Sequence, residues 1–252
     1  MSLKSRLSVA LINLTISIVI LTAVWLLIFF YIYPYPYSEI SGGLKLFWMI
    51  VGIDLILGPV LAFLIAAPAK LRSALRRDLL VIGVIQLCAF SYGFSVMYAA
   101  RPVYLVYEVD RFKVVHAQEL TPDDLALAPA ALQKLPLVGV QTIGLREASS
   151  GADKLSSLDL EIAGKGLYLQ TNWWQPLSEA NLESMRQHGQ SIAALRQRPS
   201  FDVASLDKSL RASGLKEEDV IALPLVTPAT SGSVLLRRQN LQLVGYLPVD
   251  LF

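Results

Sequence analysis

Residues 8–31 read SVALINLTISIVILTAVWLLIFFY, an apolar run that contains no charged side chain. Two further apolar runs follow at residues 44–67 and 79–99. A helix needs about 20 apolar residues to cross the hydrocarbon core of a bilayer, and each run reaches that length. The sequence therefore predicts a membrane protein in which residues 1–101 form a membrane domain with three transmembrane α-helices.

Residues 102–252 have short apolar stretches that are separated by polar and turn-forming residues. Alternating residues on both sides of Asp110-Arg111 predict a β-hairpin. Ser178 predicts the cap of a helix of about ten residues. Three apolar stretches near the end of the chain predict closing strands, at 220–226, 234–237 and 241–247. The pattern as a whole predicts a second domain, residues 102–252, of the α+β class.

The middle of this second domain is harder to assign from its sequence. Thr121-Pro122 predicts the start of a helix, which we expect to continue to about Lys134. Residues 144–166 are rich in Ser, Gly and charged residues, and this composition predicts a loop.

Positive charge is distributed unevenly around the three apolar runs. Lys4 and Arg6 precede the first run, and the loop after that run carries Glu39 as its one charged residue. The loop between the second and third runs is basic, with Lys70, Arg72, Arg76 and Arg77. Basic residues beside a span favour the cytoplasmic side. The pattern predicts a cytoplasmic N-terminus and a second domain on the opposite side of the membrane.

The composition argues against catalytic and metal-binding chemistry. The two histidines, His116 and His188, lie far apart, and the one cysteine, Cys88, lies inside the third run. Phosphate-binding, hydrolase and zinc-protease motifs are absent from the sequence. Acidic residues cluster at 123–124 and 217–219, where acids are typical of helix and strand starts. We therefore predict no enzyme activity, no catalytic residue, no metal site and no cofactor.

Residues 101–252 contain 15 Lys and Arg against 17 Asp and Glu. Proteins that bind nucleic acid normally present a strongly basic surface to the phosphates. The balance of charge therefore predicts that nucleic acid is not a partner.

Asp54 lies near the middle of the second run, in the sequence GIDLILGP of residues 52–59. An ionised acid at that depth costs several kcal/mol unless it is paired. Asp54 is therefore a candidate site for a partner in the membrane, together with Gly52, Gly58 and Pro59, which allow close helix packing and a kink. A protonated Asp54 that is hydrogen-bonded within its own bundle is the main alternative, and a proton relay is a third. Neutral partners for a protonated Asp54 are available in the other runs, at Thr15, Thr22, Gln86 and Ser91.

Trp173 and Trp174 form the other candidate site. Adjacent residues of a strand face opposite sides, so one tryptophan is expected in the core and the other at the surface. The pair is a candidate interface, with either lipid or a protein partner. Ordinary packing in the core is the alternative.

Several motifs of this chain resemble those of the type IV pilin accessory proteins of the TfpX/TfpZ type. The resemblance extends from residue 1 to about 145 and more loosely to the end. It rests on the motifs GGLKLFW (42–48), VGIDLILGP (51–59), ARPVY (100–104) and EVDRF (108–112), with the basic 70–77 loop, Asp78-Leu79 and Gln86.

This resemblance implies a bacterial inner-membrane protein whose C-terminal domain is periplasmic. It further implies a non-enzymatic accessory protein or chaperone that stabilises a cognate major type IV pilin and aids pilus assembly. The implied partners are the major pilin, inner-membrane lipid and the pilus assembly machinery. The alternative function is a membrane-bound sensor or regulator of the state of the pilin or the envelope.

Overall fold

The computed structural model describes residues 3–65, 72–197, 203–227 and 231–247. Its α-helices are α1 (Leu3–Leu27), α2 (Tyr37–Ile40), α3 (Gly43–Ile65), α4 (Arg72–Ala99), α5 (Pro122–Ala126), α6 (Gly151–Ile162), α7 (Glu179–His188), α8 (Ile192–Arg196) and α9 (Val203–Ser213). Its strands are β1 (Pro102–Glu108), β2 (Arg111–His116), β3 (Gln141–Leu145), β4 (Trp174–Pro176), β5 (Gln190–Ser191), β6 (Val220–Val226), β7 (Ser231–Arg237) and β8 (Leu243–Leu247).

The contacts divide the chain into two compact units. The first unit, called the helical unit below, combines Met1–Pro34 with Gly42–Ala100. The second, called the sheet unit, combines Tyr35–Ser41 with Arg101–Phe252. A short segment between two helices of the helical unit therefore belongs to the sheet unit, which the sequence patterns did not indicate.

The helical unit consists of α1, α3 and α4. α1 continues as one turn of π-helix, Ile28–Ile32. Leu21, Phe47 and Met97, one from each helix, share a buried cluster. The hydroxyl of Tyr33 donates a hydrogen bond to the Met97 carbonyl at 2.9 Å. Close packing explains the glycine at position 43, since a Cβ there would lie 2.5 Å from the ring of Tyr33.

Two stretches of the described helices are long and apolar enough to cross a membrane. They are Leu14–Ile32, which continues from α1 into the π-turn, and Leu80–Ala99 in α4. In α3, the apolar stretch that qualifies among the described residues is the shorter Gly43–Gly52. Two of the three predicted spans therefore correspond to helices that are long and apolar enough to cross a membrane. The crossing by α3 stays a prediction.

The sheet unit is an α+β fold, as the sequence predicts. Its eight-stranded sheet has the order β4-β3-β1-β2-β6-β7-β8, and β5 pairs with β6 beside β2. β1 and β2 form the predicted antiparallel hairpin around Asp110. β1 pairs with β3 in parallel, and β2 pairs with β6 in parallel, so the sheet is mixed. The last three strands in chain order are antiparallel neighbours.

Both faces of the sheet are covered by apolar clusters. Leu105 of β1 belongs to the cluster on one face, and Tyr104 belongs to the cluster on the other, as strand alternation requires. The first cluster also contains Tyr37 and Ile40 of α2, both buried. The loop between the first two predicted spans thus contributes two side chains to the core of the sheet unit.

Two predictions for the middle of the sheet unit were wrong. The helix that starts at Pro122 ends at Ala126, because Pro129 lacks an amide hydrogen and disfavours helical geometry at the residue before it. The expected loop contains α6, which is capped by the Ser150 hydroxyl accepting from the Asp153 amide at 3.2 Å. The Ser-x-x-Asp spacing at 150–153 was a cap signal hidden in a polar segment.

Candidate functional site

The membrane candidates Gly52, Asp54, Gly58 and Pro59 all lie on α3, which runs unbroken to Ile65. The surroundings of Asp54, Gly58 and Pro59 lie outside what the structure describes. Gly52 is described, and a Cβ built on it would meet no atom of the described residues within 4 Å. Gly52 therefore lies on an open face of α3, in contrast to Gly43.

The buried face of α3 is marked by Phe47 and Val51. Trp48, on the other side, is exposed. By helical spacing, position 52 follows position 48. Of the four candidates, Gly52 is therefore the one that the described residues assign to a face of α3, and this face is the exposed one.

Two of the neutral partners considered for Asp54 are already engaged. The Thr15 hydroxyl donates to the Leu11 carbonyl at 2.9 Å, and the Thr22 hydroxyl donates to the Ile18 carbonyl at 2.8 Å. Both hydroxyl protons are therefore used within α1.

Trp173 and Trp174 do not form an exposed interface in this structure. Their exposed fractions are 5% and 1%, so both side chains belong to the core. The expected alternation fails because Trp173 ends a 3₁₀ turn and Trp174 begins β4, so the two residues do not share a strand. The Trp174 indole nitrogen donates to the Tyr168 carbonyl at 2.9 Å, and its ring meets Tyr104 edge to face. Of the alternatives derived from the sequence, the structure matches packing in the core.

Asp124, one of the clustered acids, has a structural role. Its carboxylate pairs with Lys165 and accepts from the backbone amide of Thr121 at 3.0 Å. Partial burial raises the pKa of Asp124, but the hydrogen bonds from Lys165 and Thr121 outweigh this effect and lower the pKa to about 2. The Thr171 hydroxyl donates to the Asp124 carbonyl, so Asp124 links α5 to the segment after α6.

Glu217, in the other acidic cluster, accepts a hydrogen bond from Arg196 Nε at 2.9 Å. Arg196 also binds Asp207 at 2.7 Å and so connects α8 to α9. Both histidines are in hydrogen-bond contact with residues that are close in the chain. His116 Nδ1 lies 3.0 Å from Glu119, and His188 Nδ1 lies 2.9 Å from the Ser184 carbonyl. Within residues 3–65, 72–197, 203–227 and 231–247, no three metal-binding side chains come together.

The sheet unit exposes apolar side chains that sequence reasoning missed. Leu155, Leu158 and Ile162 follow helical spacing on α6, and all three are exposed. Leu137 and Val138, before β3, are also exposed. The α6 residues were missed because that segment was assigned to a loop, so no face could be assigned to it.

The known proteins to which we find this chain similar share one description, fimbrial assembly protein. The family model of the fimbrial assembly protein FimB matches residues 1–42. The fimbrial assembly protein of Dichelobacter nodosus serogroup E1 is 29% identical over 245 residues, which cover 96% of this chain and 94% of that protein. The serogroup I protein is 29% identical over 230 residues, covering 90% of this chain and 88% of its own.

A third relative is more similar over a shorter length. The fimbrial assembly protein of D. nodosus serogroups C1 and C2 is 39% identical over 102 residues, which cover 40% of this chain and 78% of that protein. No solved structure matches this chain. These similarities confirm the resemblance drawn from the sequence motifs, and the chain belongs to the family of fimbrial assembly proteins.

Proposed function

We propose that this protein is a non-enzymatic accessory protein of fimbrial assembly in the bacterial inner membrane, where it acts as a chaperone for a cognate major type IV pilin. The observation that carries the proposal is the similarity to the serogroup E1 fimbrial assembly protein, which extends over 96% of this chain and so includes both units. A pilin subunit waits for assembly as an apolar helix with a globular head. A helical unit and a sheet unit in one chain suit the two parts of such a client.

The exposure of the apolar helices supports a membrane location. In the apolar stretch of Leu14–Ile32, 17% of the residues are buried, and in that of Leu80–Ala99, 11% are buried. A core helix of a water-soluble protein would be mostly covered, because exposed apolar area is unfavourable in water. Lipid is the environment in which these surfaces are stable.

The assignment of Tyr35–Ser41 to the sheet unit supports a third crossing. Ser41 and Arg101 belong to one folded unit and so lie on one side of the membrane. Between Ser41 and Arg101 the chain crosses the membrane once in α4. It must cross the membrane once more in this stretch to end on the side where Ser41 lies. α3 is the element that can supply it, since its 23 residues span about 35 Å as a helix. The basic residues then favour a cytoplasmic N-terminus and a periplasmic sheet unit.

The topology is tested with alkaline phosphatase, which is active in the periplasm. A fusion after Val109 should be active, and a fusion after Ala74 should be inactive. The opposite pattern would contradict a periplasmic sheet unit.

The chaperone function is tested by deleting the gene in its host and measuring pilin protein, pilin mRNA and surface pili. A chaperone should leave the mRNA unchanged while pilin protein and pili decrease, with recovery on complementation. A decrease in pilin mRNA would favour the alternative of a sensor or regulator. Unchanged pilin and pili would contradict both functions.

A further inference from the structure

The connection between β2 and β3, residues 117–140, lies at one end of the sheet. Pro102, the first residue of β1, pairs with His116, the last residue of β2. Tyr104, near the start of β1, pairs with Gln141, the first residue of β3. The connection therefore begins and ends at the end of the sheet where β1 starts.

Arg101 attaches both halves of this connection to the point where the chain enters the sheet unit. Arg101 Nη2 donates to the Pro136 carbonyl at 3.1 Å, and the Ala117 amide donates to the Arg101 carbonyl at 2.9 Å. Arg101 itself is buried and follows α4, which ends at Ala99, by two residues. The connection is thus held next to the residue that follows the last predicted membrane crossing.

The surface of this connection is unusually apolar for a loop. Leu137 is 73% exposed and its neighbour Val138 is 56% exposed, and Leu127 is exposed as well. Residues 125–140 contain no acidic residue and one charged residue, Lys134. The acids of the connection, Glu119, Asp123 and Asp124, all precede this stretch. Exposed apolar side chains with a nearby lysine are typical of segments that lie in the interface of a bilayer with anionic lipid.

We propose that the exposed apolar side chains of residues 125–140 form a lipid-contact surface, and that Leu137 and Val138 enter the periplasmic leaflet of the bilayer that α4 crosses. The inference rests on the proposed membrane crossing by α4. It adds a contact between the sheet unit and the lipid beyond the peptide connections to the helical unit. The partner of this surface in our proposal is phospholipid, because the loop is attached to Arg101, immediately after α4.

The test uses the full chain in vesicles of phosphatidylethanolamine and phosphatidylglycerol. Nitroxide labels are attached at Leu137→Cys and Val138→Cys in a Cys88→Ser background, and power saturation compares access to oxygen with access to a water-soluble nickel chelate. Val109→Cys is the matched control, since Val109 is apolar and 69% exposed but lies at the other end of β1, about 20 Å away along the strand.

The label at positions 137 and 138 should favour oxygen over the nickel chelate by several fold, and the label at 109 should show the reverse. Equal nickel access at 137, 138 and 109 would overturn the lipid contact. Native Cys88, labelled in the unmodified chain, reports on α4 separately. A Cys88 label that is accessible to the nickel chelate would contradict the membrane crossing itself. A Cys88 label that favours oxygen, together with a label at 137 that favours the nickel chelate, would overturn the loop contact alone.

Discussion

The guanidinium group of Arg146 lies over the indole ring of Trp173, with Cζ 4.4 Å from the ring centroid. The same group donates to the Asn172 carbonyl and to Asp153, each at 3.1 Å. Arg146 therefore covers a core tryptophan and also holds the first turn of α6 against the end of β3.

Arg146→Ala should lower the free energy of unfolding by about 1–2 kcal/mol, because it uncovers Trp173 and removes the hydrogen bonds to α6. Arg146→Lys should recover less than half of this loss, since an ammonium group cannot make the same planar contacts. Thermal unfolding of the full chain in detergent measures both. The matched control is Arg186→Ala, which breaks an exposed pair with Glu183 and should change stability by less than about 0.5 kcal/mol. A similar loss in both arginine variants would contradict this role.

Ile40→Ala should destabilise the sheet unit, although Ile40 precedes α3 in the chain. Ile40 is 2% exposed in the same cluster as Leu105, and removal of such a side chain costs about 2–4 kcal/mol. The loss is measured by chemical unfolding of the full chain, followed by tryptophan fluorescence. Tyr35→Ala, at an exposed residue of the same segment, should have little effect.

A fragment of residues 101–252 should be destabilised at least as much as Ile40→Ala, because it lacks both Ile40 and Tyr37. Fusing residues 35–41 to this fragment through a flexible linker should restore part of the lost stability. A fragment that is as stable as the full chain would show that α2 is dispensable for the core.

Stability should depend on pH through Asp124. The pKa of Asp124 is lowered to about 2 from its ordinary value of 3.8, so its contribution is complete above about pH 4 and is lost as the pH falls through about 2. After allowance for solvent screening, the contribution is on the order of 1 kcal/mol. Asp124→Asn should lose it at neutral pH and flatten the acid limb of the unfolding curve. Asp123→Asn is the control, because the neighbouring carboxylate of Asp123 is exposed, and it should lower stability at neutral pH by less than Asp124→Asn does.

Val109→Asn should stabilise the β1–β2 hairpin. Val109 has a φ of 58°, which is unfavourable for a β-branched residue, and asparagine tolerates this left-handed conformation. We expect a gain of about 1 kcal/mol, because Val109 is exposed and its side chain is not needed in the core. Thermal unfolding tests it against Val109→Ile, which should not stabilise. An equal gain in both variants would assign the effect to something other than φ.

Asp54→Asn separates the alternatives for the membrane acid. If Asp54 pairs with a positive group of the pilin helix, the variant should keep normal abundance and lose pilin capture and surface pili. If Asp54 is protonated and bonded within its bundle, asparagine should replace it, while Asp54→Leu lowers abundance through the loss of about 0.6–2 kcal/mol. Immunoblots and pilus counts measure both. Gly52→Leu tests the open face of α3 separately and should reduce pilin capture at normal protein abundance.

The sequence predicted those elements whose signals are local. The β1–β2 hairpin follows from alternation around Asp110, α7 from its Ser178 cap, and β6 from a continuous apolar stretch. The order of strands in the sheet was not accessible, because the β1–β3 and β2–β6 pairings join segments far apart in the chain. The family followed from motif order in the first 145 residues, which local physics alone does not explain.

The candidate sites were predicted less well, because their environment is not local. The burial of Trp173 and Trp174 depends on a change from 3₁₀ turn to strand between them. The inclusion of Tyr37 and Ile40 in the sheet unit depends on contacts with strands that follow two predicted crossings. Strand alternation and hydropathy carry no information on either relationship.

The place of Ile40 in the sheet unit sets an order on biosynthesis. Ile40 is translated about 200 residues before Tyr246, its partner in the same cluster, which corresponds to roughly 10–40 s at ordinary elongation rates. During that interval α3 and α4 are made, and the segment that carries Ile40 has no finished core to join. On the proposed membrane topology, insertion of the helices therefore precedes completion of the sheet. A pause or slowing of translation after residue 101 would prolong the time for which Tyr37 and Ile40 stay uncovered, and it would leave the unfinished chain open to proteolysis for longer.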